Sequence, residues 1–245
     1  MAFAGIGHRV EGAHPVRAAL ESGRVLRLKV EKGRLAKVQD LVEAARARGI
    51  PVDIVDDVRS FAETTAPQGV VAECRPRPSH SIDELVALSE RPALLVLDHL
   101  EDPHNVGAVA RSAAAAGMTG LVVSSVRAAP LGATAFKASV GALERIPVAV
   151  VSSVAAAIDR LRALEVWIIG LDFDGEQSLF GLDLLTESVA LVIGAEGGGL
   201  ARLVRERCDV VASIPMGGAT ESLNASVAAA LAAFEVGRVR GRRPE

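Results

Sequence analysis

The chain has 245 residues, enough for one large or two small domains, and half of them are hydrophobic, enough to bury a substantial core. Its formal net charge of −3 advertises no polyanion binder, and the isolated Cys74 and Cys208 match no metal spacing. No apolar run reaches the length of a membrane span and no signal-peptide pattern opens the chain, so a cytoplasmic protein without structural disulfides is expected.

The charge is unevenly spread. Residues 1–80 carry 13 Lys and Arg against 10 Asp and Glu, whereas the remainder carries 14 against 20. Arg24, Arg27, Lys29, Lys32, Arg34 and Lys37 concentrate the positive excess. They form either a solvated charged face or a set of phosphate contacts.

This first third reads as a small α/β unit. Residues 14–22 suggest a helix ended near Gly23, and 25–30 alternate like a strand. Leu35, Val38, Leu41, Val42 and Ala45 make a helical stripe over 35–48, stopped by Gly49. A strand over 51–55, a helix over 57–63 and a strand over 69–72 complete a βα sandwich of roughly 70 residues. The proline-rich, cationic Arg75-Pro76-Arg77-Pro78-Ser79 opens an extended linker with a short amphipathic piece at 82–88. The expected division is 8–75 for the first domain, 76–91 for the linker and 92–245 for the second domain.

Beyond the linker, strands at 94–97, 121–124, 148–151 and 166–171 alternate with helices at 105–116 and 154–164. Two last strands begin at Leu191 and Val210, and a helix over 225–236 closes the pattern. Such alternation predicts a mainly parallel sheet with helices on both faces. The stretch 191–235 organises this half. Apolar Leu191-Val192-Ile193 runs into Gly194, Glu196, Gly197, Gly198 and Gly199, and main chain bare of side chains at a strand's end is where α/β proteins meet ligands. The strand from Val210 ends in Pro215-Met216-Gly217-Gly218, and Ser222 or Asn224 is placed to cap the helix that follows. Two strand ends and a helix start suggest one composite site.

Generic motifs are few. There is no G-x-G-x-x-G, and Gly132 to Ser139 approaches a phosphate loop but lacks both the glycine before Lys137 and a leading strand. Asp102-Pro103-His104-Asn105 is turn chemistry entering a helix, so Asn105 is either its cap or a functional amide. Arg111 lies about 9 Å further along that axis and on another face, within an apolar helix where it needs a partner or a polar cleft.

Three spaced signatures carry a resemblance. Leu97-Asp98 through Asp102-Pro103-His104-Asn105-Val106-Gly107 to Arg111 is the first. Ile193-Gly194-Ala195-Glu196-Gly197 with Gly199-Leu200 is the second, and Ile214-Pro215-Met216 with Ser222-Leu223-Asn224-Ala225-Ser226 the third. A minor one runs from Lys137-Ala138-Ser139 to Gly141-Ala142-Leu143-Glu144. Together they resemble the SpoU/TrmH family of RNA ribose 2′-O-methyltransferases. Glu11-Gly12-Ala13-His14-Pro15-Val16 is similar to the start of the bacterial branch that methylates a guanosine of 23S ribosomal RNA.

The resemblance implies a SPOUT methyltransferase domain with a deep trefoil knot, behind an RNA-binding module like a ribosomal protein. It implies S-adenosyl-L-methionine as cofactor, RNA as partner, a homodimer, and no metal or membrane. Arg111, Asn105, Glu196, Ser222 and Asn224 fall at the family's catalytic positions, and Gly194, Ile214 and Leu223 at its cofactor positions, with Met216 their neighbour. Ile214 and Leu223 also suit a packed core. Lys29, Lys32, Arg34 and Lys37 are the candidate RNA contacts. The alternatives are the same chemistry on tRNA or another rRNA site, and a noncatalytic RNA-binding protein on the same fold.

Overall fold

The structure is a computed structural model and describes residues 6–195, 198–218 and 222–241. Its first elements are β1 (Arg9–Glu11), α1 (Ala13–Glu21), β2 (Val25–Glu31), α2 (Gln39–Ala47), β3 (Val52–Val55), β4 (Val70–Cys74) and α3 (Ile82–Ala87). Next come β5 (Ala93–Leu97), α4 (Pro103–Ala116), β6 (Gly120–Ser124), α5 (Ala133–Ala138), β7 (Val148–Val151) and α6 (Val154–Ala163). The chain then runs through β8 (Trp167–Leu171), β9 (Gln177–Ser178), β10 (Val189–Ile193), α7 (Arg202–Arg205), β11 (Val210–Ser213) and α8 (Ala225–Val239). It divides into two compact units, Met1–Pro78 with Pro130–Arg145, and Ser79–Ala129 with Ile146–Glu245.

In the first unit, four strands take the order β1-β4-β2-β3. β4 is antiparallel to both β1 and β2, while β2 and β3 are parallel and joined through α2. Three differences from the sequence reading have local causes. β1 is only three residues long, too short to display alternation. The helix expected over 35–48 begins at Gln39, because Lys32–Lys37 winds as a 3₁₀ turn that ends at Val38. The helix expected over 57–63 shrinks to the 3₁₀ turn Arg59–Phe61.

Residues 130–145 are integral to this unit. Phe136 of α5 is fully buried, and a Cβ added at Gly7 would lie 2.4 Å from its ring. The Gly7 N–H donates to the Leu131 carbonyl at 3.0 Å, and Glu63 accepts from the Ala133 N–H at 3.2 Å. Arg24, itself buried, donates through Nε to Glu144 at 2.8 Å.

The second unit is a seven-stranded sheet, β7-β6-β5-β10-β8-β11-β9, with every pairing parallel. Parallel strands covered on both faces read as unbroken apolar runs, and every residue of β5, β6 and β10 is buried. Leu94, Val96, Val122, Ala190, Val192 and Ile168 join α3 and α6 in one core cluster. The alternate residues Leu95, Leu121, Ile169 and Leu191 are equally buried on the opposite face, where α4 and α8 pack.

Local chemistry sets the helix ends. Ser81 and Glu84 close a capping box on α3. Asp102, with Pro103 at the first helical position, caps α4 by accepting the His104 N–H at 2.8 Å, and Gly117 ends the helix at φ 74°. The cap of this helix is therefore Asp102 and not Asn105, which lies within its first turn.

Candidate active site

The first and third signatures meet directly. Asn224, the N-cap of α8, accepts from the Ser226 N–H at 2.9 Å through Oδ1, and its Nδ2 donates to Oδ1 of Asn105 at 3.3 Å. At the other end of the same helices, a Cβ added at Gly237 would lie 3.3 Å from the Ala116 carbonyl. The two helices thus run side by side in the same direction, with Ala110, Ala113, Ala229, Ala232 and Ala233 fully buried. Small residues permit this close approach. Two helix N-termini, each the positive end of a macrodipole, therefore meet at the edge where β5 ends.

Arg111 projects from α4 as an exposed side chain, with no hydrogen bond or ion pair to any of the described residues. Of the described cations in this unit, only Arg91 and Arg127 share that state; the other arginines bind carboxylates or main-chain carbonyls. Ser222 is exposed just before the α8 cap. Glu196 lies outside the described residues.

Gly194 is buried at the end of β10, and a Cβ there would lie 2.1 Å from the Gly199 carbonyl oxygen. That carbonyl accepts the Ala195 N–H at 3.1 Å, so the described ends of the glycine-rich segment pack main chain on main chain. Ile214, half-buried, and Met216, exposed, follow β11, and half-buried Leu223 adjoins the Asn224 cap. All these positions lie where parallel strands end and α8 begins, the edge at which such sheets bind ligands. A depression of about 330 Å³ at the opposite edge is lined by Ser89, Glu90, Arg91 and Arg240. Arg240 is committed there to the carbonyls of Leu185 and Arg91, which suits closure of the sheet better than chemistry.

Two carboxylates at this edge were assigned no role in the sequence reading, although Asp98 stands in its first signature. Asp98, fully buried after β5, lies 2.6 Å from Nδ1 of His99. Asp172 follows β8 and reaches the Gly199-Leu200 backbone. Each is the first charged residue after an apolar strand of a parallel sheet, and that position was the available signal. Among the described residues, no group of three or more His, Cys, Asp or Glu side chains could hold a metal ion.

Residues 92–234 match the SpoU rRNA Methylase family, and residues 9–79 match the RNA 2′-O ribose methyltransferase substrate binding family. The chain belongs to the SpoU rRNA methylase family. It is 40% identical over 240 residues to the 23S rRNA (guanosine-2′-O-)-methyltransferase RlmB of Xylella fastidiosa, covering 94% of this chain and 96% of that protein. RlmB of Pseudomonas aeruginosa is also 40% identical, over 241 residues, covering 95% and 96% respectively. Among solved structures, the SpoU methyltransferase AviRb from Streptomyces viridochromogenes in complex with AdoMet superposes with a TM-score of 0.81 at 28% identity, covering 96% of this chain and 90% of that one. An AdoMet-bound rRNA methyltransferase from Sinorhizobium meliloti gives 0.76 at 26% identity, covering 94% and 87%.

In this SpoU-family chain the candidate RNA contacts of the first unit divide into two kinds. Lys29 is mostly buried, pairs with Asp53 at 3.2 Å and stacks 4.3 Å from the Phe61 ring centroid. Arg27 also pairs with Asp53, at 2.9 Å, and these two cations hold that carboxyl below its usual range. Lys32, Arg34 and Lys37 stand exposed on one 3₁₀ turn, with no ion pair to any described residue.

Proposed function

We propose that this protein transfers the methyl group of S-adenosyl-L-methionine to a ribose 2′-hydroxyl of RNA, at a guanosine of 23S ribosomal RNA. The observation that carries the reading is the Asn105–Asn224 bond, which joins two distant signatures at one sheet edge and leaves Arg111 exposed on the same helix as Asn105. The near full-length likeness to the RlmB proteins supports the substrate.

In this reading Gly194, Ile214, Met216 and Leu223 hold the cofactor. Main chain at a strand end, the half-buried Ile214 and Leu223 and the exposed Met216 fit a group with an adenine ring and a ribose. When bound, the cofactor supplies an electrophilic methyl on a sulfonium sulfur. Everything else falls to the protein: orienting the hydroxyl, letting its proton pass to solvent water as the new bond forms, and stabilising the charge that grows on its oxygen. A guanidinium has five donors and no acceptor, so Arg111 serves as a cation toward the flanking phosphate and the developing alkoxide. Asn105, Ser222 and Asn224 position the nucleotide, and Glu196 is assigned to holding Asn105 or Arg111.

Residues 8–75 capture RNA and 92–245 carry the transfer site within the knotted SPOUT fold; within the connecting stretch 76–91, α3 packs into the core of the second unit, and 130–145 are lent to the capture unit. Lys32, Arg34 and Lys37 are the phosphate contacts, while Lys29 acts by shaping the sheet around them.

The working form in this proposal is a cytoplasmic homodimer. Val227, Leu231 and Phe234 line one exposed face of α8 at helical spacing, the last of them 54% exposed. The alanine face of α8 is already occupied by α4, so a second copy would cover this other face. No helix among the described residues is long and apolar enough to cross a membrane.

Mass analysis of ribosomal RNA from a strain lacking the gene tests the proposal. One ribose methyl mark on a 23S guanosine should vanish and return when the gene is restored. An unchanged methylation map would overturn it.

A further inference from the structure

Asp172 follows β8, the strand between β10 and β11, and its side chain is only 8% exposed. Oδ1 accepts the Phe173 N–H at 2.9 Å, and Oδ2 accepts the Leu200 N–H at 3.4 Å. Gly199 adopts φ 61°, and a Cβ there would lie 3.0 Å from Oδ2, so the main chain rests against the carboxylate. Arg205 of α7 closes the arrangement from the far side. Its Nη1 donates to Asp172 at 3.0 Å and to Asp174 at 2.7 Å. The strand end, the glycine-rich segment and the next helix are thereby tied through one carboxylate. The burial of Asp172 is tolerable because each of its bonds is made to an N–H group.

We infer that Asp172 and Arg205 are a positioning pair that holds the Gly199–Leu200 main chain against Gly194 for cofactor binding. This rests on the reading above that Gly194 and its neighbours hold S-adenosylmethionine. Neither residue touches the reacting atoms. The pair pre-organises the backbone before the cofactor arrives, so its loss is felt as ordering that binding must then supply. A charge-assisted bond of this kind, once removed, weakens the step it supports by about tenfold or more.

The test is calorimetric binding of S-adenosylmethionine to the full-length chain, with methyl transfer to ribosomal RNA measured alongside. Asp172→Ala should raise the cofactor Kd about tenfold or more while kcat at saturating cofactor is retained. Asp172→Asn, which keeps an acceptor for the Leu200 N–H but loses the charge toward Arg205, should fall between. Arg205→Met leaves Asp172 in place and should raise Kd in the same direction; it decides the matter if Asp172→Ala does not fold. A lowered melting temperature with cofactor Kd within twofold of wild type would make the pair merely structural and overturn the inference. Failure of the wild-type chain to bind the cofactor would instead overturn the functional reading beneath it.

Discussion

Arg24 and Glu144, 120 residues apart, form a buried bidentate pair inside the first unit. Arg24 also donates to the Gly7 carbonyl at 2.9 Å, and its guanidinium lies 5.7 Å from the Phe136 ring centroid. The pair is the electrostatic half of the attachment whose apolar half is Phe136. Glu144→Ala would leave a buried guanidinium uncompensated and should cost about 3–5 kcal/mol. Denaturant unfolding measures this, and a double variant, Arg24→Met with Glu144→Leu, should recover much of the loss. A single-variant cost under about 1 kcal/mol would show the pair to be solvated.

The same attachment bears on truncation. Deleting residues 1–75 would uncover Phe136 and strand Glu144, so loss of RNA binding in that fragment would not separate capture from folding. Replacing Lys32, Arg34 and Lys37 with Ala is the cleaner experiment, because all three are exposed. RNA affinity should fall, and the slope of log K against log salt should drop by about two to three, with stability little changed. Lys29→Ala should do the reverse, lowering stability through the loss of its Asp53 and Phe61 contacts. Unaltered salt dependence in the triple variant would remove this turn from the RNA interface.

Arg111→Ala should lower methyl transfer by at least about a hundredfold, with little change in cofactor Kd, since the role proposed for the guanidinium is toward the nucleophile and not the cofactor. Arg111→Lys should rescue only in part, because a point charge lacks the planar fork. An exposed side chain with no described partner has little folding role, so circular dichroism and melting should match wild type. Near-normal turnover in Arg111→Ala would exclude the residue from the reaction.

Burial pushes the Cys74 thiol up to about 12 and the Cys208 thiol up to about 11, from an ordinary 9.0. At pH 8 the native Cys208 thiolate should therefore be about a hundredfold scarcer than that of a free thiol. Neither cysteine should react with a disulfide reagent until denaturant is added, when two thiols should titrate. The linked stability follows from the direction of the shift. Being weaker acids when folded, these thiols retain their protons, so their contribution is complete below about pH 9 and is lost as pH rises through 9 to 11 and beyond. Rapid native labelling of both residues would contradict the burial.

Phe234→Glu should split the proposed dimer without unfolding the subunit, because Phe234 is more than half exposed. Light scattering over a dilution series, with activity in parallel, checks this. A fully active wild-type monomer at all concentrations would dispose of the pairing.

Much of this protein was legible from residues close together in the chain. The unbroken apolar run at Ala93–Leu97 announces a buried parallel strand, Pro103 and Gly117 bracket α4, and Asn224 marks the start of α8. Those signals depend on steric and hydrogen-bonding rules that act within a turn of helix or a few strand residues. What lay beyond them was decided by pairing across the fold. Lys29 reads as a free cation until β3 brings Asp53 beside it in register. Residues 130–145 lie between β6 and β7 of the second unit's sheet in sequence, yet Arg24 and Gly7 claim them for the first unit. Asn105 and Asn224, 119 positions apart, meet only because small residues let α4 and α8 pack closely in the same direction. Period and capping report a residue's immediate neighbours. The partner of a charge or an amide is set by strand order and helix packing, which are properties of the assembled chain.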